Sequence, residues 1–89
     1  MKLISTNPYT QEIIQEYETI NALEIQEKIA KAHSYYISQP FNIAKRKDIL
    51  LKVASELSIQ KENLAQLITS EMGKVIKESR VEIEKCITV

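Results

Sequence analysis

The sequence is short of everything that marks special chemistry or special environments. Among 89 residues there is no Trp, one Gly, two Pro, one Cys and one His. A single cysteine, Cys86, cannot close an internal disulfide, which agrees with a reducing compartment, and the cytoplasm is the expected location. Excess charge is lacking too: 12 Lys and Arg stand against 12 Asp and Glu, so no long-range field draws in phosphate backbones or anionic lipid. Nucleic acid and membrane surfaces are therefore not expected partners. No apolar run approaches the roughly 20 residues that span a bilayer, and the opening MKLISTNPYT has no apolar signal-peptide core.

What is present is the composition of a globular protein, 44% hydrophobic and 27% charged. One domain is the ceiling for this length. Such a chain buries only roughly 60 to 65% of its unfolded surface, which leaves little room for a deep cleft and argues against a complete cofactor-dependent enzyme. The scarce glycine and prolines divide the chain. Pro8 separates Lys2-Leu3-Ile4-Ser5 from Ile13-Ile14-Gln15-Glu16-Tyr17 and predicts a hairpin over about 2–17 with a four- or five-residue connection. Asn21 and Glu24 fit a capping box opening a helix over 22–38, with Glu24–Lys28 and Glu27–Lys31 as i,i+4 pairs. Pro40 ends that helix, and Asn42 caps the next.

From Ile43 onward, Ile49, Leu50, Val53, Ala54 and Leu57 form one apolar stripe and Leu64, Leu67, Ile68 and Met72 another. The stripes lose phase near Ser58-Ile59-Gln60, which predicts a break between helices 43–58 and 61–72. Gly73 is placed for a left-handed C-cap. A last helix over 75–89 sets Ile76, Ser79, Ile83, Cys86 and Ile87 on one face and ends without a stop signal, as expected of a continuing chain. The fold class is mainly α, an N-terminal β-hairpin followed by about four helices.

Few residues invite a chemical role. Cys86 lies far in sequence from His33 and shares a stripe with Ile83 and Ile87, so a buried packing thiol is expected in preference to a nucleophile. His33 has no companions at metal-ligand spacing. Lys45-Arg46-Lys47 is followed by Asp48 and preceded by no glycine-rich loop, and reads as a solvated helix start. Glu78, Glu82 and Glu84 read as surface charge, since nothing splits their pKa values. Tyr35 and Tyr36 predict one packed ring and one exposed ring. No catalytic, cofactor-binding or metal-binding residue is assigned within the chain.

Three stretches, in order, resemble the aldehyde dehydrogenase superfamily. STNPYTQEIIQEY is similar to that family's N-terminal hairpin, written N-P-x-T-G-E before apolar residues. KRKDILLKVASELSIQKENLAQLITSEMGK resembles its paired helices, through Arg46, Leu50, Leu51, Leu64, Ile68, Glu71, Met72, Gly73 and Lys74. ESRVEIEKCITV resembles the helix that follows, through Glu78, Glu82, Ile83, Glu84, Lys85 and Cys86, and the flavour is closest to the succinate-semialdehyde dehydrogenase branch. The chain departs from the pattern where Gln11 replaces the usual turn glycine, where no Trp precedes Arg46, and where Val75 replaces the proline after Gly-Lys.

The resemblance implies a parent that oxidises an aldehyde with NAD or NADP through a cysteine-bound thiohemiacetal and thioester. The family's nucleophilic cysteine, general-base glutamate, oxyanion-stabilising asparagine and cofactor-binding lysine fall beyond the position equivalent to Val89, and Cys86 matches a helix cysteine. The expected role is thus a structural N-terminal segment, inactive alone, whose partner is the rest of the dehydrogenase and which self-associates when isolated. The competing reading is an autonomous helical protein-interaction module, and a small enzyme built on Cys86 is a third.

Overall fold

The computed structural model describes residues 1–88, so the expectation that the last helix includes Val89 lies outside the described residues. Two strands, β1 (Lys2–Thr6) and β2 (Ile13–Glu18), precede four helices: α1 (Ala22–Ser38), α2 (Ile43–Ile59), α3 (Lys61–Met72) and α4 (Ile76–Thr88). The mainly helical architecture with an N-terminal hairpin is the one the sequence pattern predicts. The strands pair antiparallel from Lys2 with Glu18 to Ser5 with Gln15, and an irregularity after Ser5 pairs Thr6 with Ile13. Lys2 Nζ lies 3.5 Å from Glu16 and 3.7 Å from Glu18.

Between the strands, Asn7 to Glu12 make a longer connection than expected because Asn7 organises it. The Asn7 side-chain oxygen accepts from the backbone N–H of Tyr9 at 2.9 Å and of Thr10 at 3.2 Å. Its own N–H donates to the Glu12 carbonyl, and its carbonyl accepts from the Gln11 N–H. Gln11 has φ +66°, a left-handed conformation that costs a side-chain-bearing residue about 1–2 kcal/mol. Its amide donates to the Pro8 carbonyl at 2.8 Å, which partly offsets that cost.

Each helix begins and stops for a local reason. At α1, Asn21 accepts from the Glu24 N–H at 2.8 Å while the Glu24 carboxylate accepts from the Asn21 N–H at 3.2 Å, the reciprocal box. That use of Glu24 competes with the pairing to Lys28; among the described residues neither Glu24–Lys28 nor Glu27–Lys31 forms an ion pair. Gln39, ahead of Pro40, is extended and ends α1. Asn42 accepts from the Lys45 N–H and caps α2. Gln60, at φ −94° and ψ 8°, separates α2 from α3, and Gly73 closes α3 in the left-handed region at φ +70°.

Burial is concentrated on one seam. Ala65 of α3 and Ser79 of α4 are fully buried, Ile83 of α4 is nearly so, and Ala54 and Leu57 of α2 are half-buried. Both α2 and α3 rest on α4, while α1 makes no extensive contact with any other element. The result is a slab of 48 × 36 × 15 Å with a radius of gyration of 17.4 Å. A compact chain of this length has about 12 Å. Two expectations fail here for one reason. Tyr35 and Tyr36 are both exposed, so neither ring is packed, and Cys86 is exposed where a buried thiol was expected. A 15 Å slab is one layer of helices, and the apolar stripes of α1 and α2 face no second layer within the chain.

A Cβ added at Gly73 would approach Pro8 Cγ to 3.2 Å, in addition to the left-handed backbone. Gly73→Ala should therefore destabilise the chain by about 1–2 kcal/mol or more, whereas Gln11→Gly should be neutral or stabilising by up to about 1 kcal/mol. Thermal melts followed by circular dichroism will show the opposite signs.

Candidate functional site

The motif residues converge where the hairpin meets the end of α3. Ser5 Oγ of β1 donates to Glu71 Oε1 at 2.7 Å across 66 residues of sequence, and Pro8 packs against Gly73. The Asn-Pro turn and the Glu-Met-Gly-Lys helix end are thus one contact in space. Neither partner is a reactive pair. A hydroxyl donating to a carboxylate is a charge-assisted tie, of the strength that fixes a turn on a helix.

A second cluster joins α3 to α4. The Arg80 guanidinium donates twice to Glu62, through Nε at 3.0 Å and Nη2 at 2.7 Å. Lys61 pairs with Glu84, and Lys74 with Glu82 at 2.6 Å. Between them, the hydroxyls of Thr69 and Ser79 share a hydrogen bond of 2.8 Å, which satisfies the buried Ser79. The hydrogen bond from Arg80, reinforced by its charge, holds the Glu62 carboxyl below its ordinary value of 4.5, and the same bond raises Arg80 above the ordinary guanidinium value. Of the acidic trio, Glu82 and Glu84 are lysine partners and Glu78 sits in the first turn of α4, so they are surface charge.

The other candidates are scattered. Cys86 borders a groove of about 410 Å³ between α2 and α4, lined by Lys47, Leu50, Leu51, Val53, Ala54 and Ile87; His33 is on α1 and does not line it. Arg46 stacks over Phe41 with its guanidinium carbon 4.6 Å from the ring centre, and Lys45 reaches Gln39 Oε1 at 3.4 Å. Tyr35 and Tyr36 share an open cleft of about 370 Å³ with those two cations. Among the described residues no three His, Cys, Asp or Glu are grouped to hold a metal ion, and no helix is long and apolar enough to cross a membrane.

The one glycine closes α3 against Pro8, so the chain holds no glycine-rich turn of the kind that brings backbone N–H groups to a pyrophosphate. Sequence reasoning missed the Ser5–Glu71 tie and the Glu62–Arg80 fork. Both join residues on different elements, and no periodicity within one element reports such a pairing.

The geometry is one helical layer with a hairpin pinned to it. A profile of the aldehyde dehydrogenase family matches residues 1–89. Lactaldehyde dehydrogenase from Methanococcus aeolicus is 42% identical over 84 residues, covering 92% of this chain and 18% of that enzyme. The 3-sulfolactaldehyde dehydrogenase of Priestia megaterium is 30% identical over 87 residues, covering 98% and 18%. The crystal structure of glyceraldehyde-3-phosphate dehydrogenase GapN from Methanocaldococcus jannaschii, complexed with NADP, superposes with a TM-score of 0.87 at 33% identity, over 97% of this chain and 19% of that one. The chain belongs to the aldehyde dehydrogenase family and spans less than a fifth of the length of these relatives. The finer likeness to succinate-semialdehyde dehydrogenases finds no support in these relatives.

Because the folded-state pKa of Glu62 is lowered, the stability it contributes is complete above the unfolded value near 4.5 and is lost as pH falls through the folded value. The Arg80 counterpart is lost only in strong base, as pH rises through its raised folded value. Acid titration followed by circular dichroism should show Glu62→Gln flattening the decline below 4.5 while leaving the neutral range nearly flat.

Proposed function

We propose that this chain is the N-terminal structural segment of an NAD(P)-dependent aldehyde dehydrogenase and that it does not oxidise aldehydes by itself. The observation that carries the reading is its surface. The chain exposes 7720 Å², against about 5,300 Å² for a compact protein of its mass, an excess of about 2,400 Å². A single layer that follows GapN closely over 97% of its length, yet leaves that much surface uncovered, is shaped to be covered by the remainder of a dehydrogenase. In that parent the nucleophile and the NAD or NADP crevice would come from the remainder, and this segment would set the position of the helices beside them.

The names of the relatives favour one class of substrate for the parent. Lactaldehyde, 3-sulfolactaldehyde and glyceraldehyde 3-phosphate are all three-carbon aldehydes with a hydroxyl on the carbon next to the aldehyde. Succinate semialdehyde has no such hydroxyl, so a 2-hydroxyaldehyde is the better reading. The autonomous interaction module is disfavoured by the family match along the full chain.

Fragment complementation tests the assignment. The chain is co-expressed with the part of the Methanococcus aeolicus lactaldehyde dehydrogenase that follows its matched region, and nicotinamide reduction by lactaldehyde is followed. Activity should appear only with both pieces and be lost with Gly73→Val. Aldehyde oxidation by the 89-residue chain alone, or a stable two-piece complex without activity, would overturn the proposal.

A further inference from the structure

We infer that α1 is a strap that melts by itself in the free chain, while the hairpin and α2–α4 stay folded, and that it becomes helical only when its apolar face is covered. Every residue from Ala22 to Ser38 is exposed, and α1 makes no extensive contact with another element. Helices in proteins draw most of their stability from packing an amphipathic face, and one left to itself needs more than about 12–15 residues of good formers to persist in water. Good formers predominate only from Ala22 to Ala32, whereas His33, Ser34, Tyr35, Tyr36, Ile37 and Ser38 all belong to less favourable classes. The box at Asn21 and Glu24 favours the first turn. No basic residue stands in the last turn to meet the helix dipole, and among the described residues neither Glu24–Lys28 nor Glu27–Lys31 is formed to support the middle.

The rest of the fold does not hold α1 in shape. Ahead of it the hairpin is closed, because Thr19 donates its N–H and its hydroxyl to the Met1 carbonyl, and β1 is tied to α3 through Ser5 and Glu71. Behind it, α2 rests on α4. The 17 residues between span about 26 Å as a helix and up to roughly 60 Å extended, so fixed ends do not enforce the helix. Melting α1 leaves a loop anchored at both ends, and neither anchor has to open with it. What restores the helix is written on its face: Ile25, Ile29, Ala32 and Tyr36 recur at i, i+4, i+7 and i+11, and covering that stripe adds the packing that the free helix lacks. That the cover is the remainder of a dehydrogenase rests on the function proposed above; the melting of α1 in the free chain does not.

Hydrogen–deuterium exchange of the 89-residue chain tests the first half. Amides from Ile25 to Ser38 should exchange within about tenfold of unstructured rates, and those around Ala65 and Ile83 at least about a hundredfold more slowly. Ala30→Pro, which removes a helical hydrogen bond and clashes with the preceding turn, should move the thermal midpoint by less than about 2 °C, since the transition then reports α2–α4 alone. Equal protection of α1 and the α3–α4 seam, whether high or low, overturns the inference. So does a variant that fails to fold or whose midpoint falls by more than about 10 °C. The second half is read in the complex with the remainder of the Methanococcus aeolicus enzyme, where α1 should gain at least about a hundredfold protection. A complex in which α1 stays unprotected overturns the strap, whereas the absence of any complex counts against the proposed function and leaves the free-chain exchange to decide the melting of α1.

Discussion

The seat of the Asn7-Pro8 turn on the C-terminal end of α3 is the contact on which the rest of this structure depends. It is small: one hydroxyl–carboxylate hydrogen bond, and a proline ring against a residue with no side chain. Yet a two-stranded hairpin is marginal in water without something to pack on. Fixing Ser5 to Glu71 and Pro8 to Gly73 gives β1 and β2 a support, and it also fixes the direction in which the chain leaves β2 toward α1. Gly73 meets two demands at once, the left-handed turn that ends α3 and the close approach of Pro8. That double use explains why the sequence spends its single glycine there.

The helical half is held by different means. Two ion pairs and one hydroxyl pair tie α3 to α4 around a core of Ala65, Ser79 and Ile83, and a third pair ties Lys74 of the connection to α4. Exposed pairs of this sort contribute little each, of order 0–1 kcal/mol, so they fix the register of α3 on α4 more than they stabilise it. Small residues at the seam let the two helices approach closely. Larger apolar residues are turned outward on α1 and α2, the reverse of what a self-sufficient domain does with them.

Much of this was legible in the residues. The capping box at Asn21, the Asn42 cap, the stop before Pro40, the break at Gln60 and the Gly73 cap are local effects, decided by groups a few positions apart. The three family-like stretches likewise read directly. Burial was less legible. Stripes such as Ile49-Leu50-Val53 show which face of a helix wants to be covered, but not whether the cover lies within the chain, and so Cys86 and one ring of the Tyr35–Tyr36 pair are expected inside when all three side chains are outside. The clamps Ser5–Glu71 and Glu62–Arg80 were illegible because each joins two elements through side chains that look like ordinary surface polarity in sequence.

The 66-residue separation of Ser5 from Glu71 has a consequence for biosynthesis. At about 5–20 residues per second, a ribosome needs roughly 3–13 s to deliver the docking site after the first strand has been made. Over that interval the hairpin has two open edges and no surface to rest on, while α1 and α2 emerge with their apolar faces uncovered. The nascent chain is thus most exposed to wrong strand pairing and to chaperone capture before Glu71 and Gly73 leave the exit tunnel, and the moment of their emergence sets the start of productive folding.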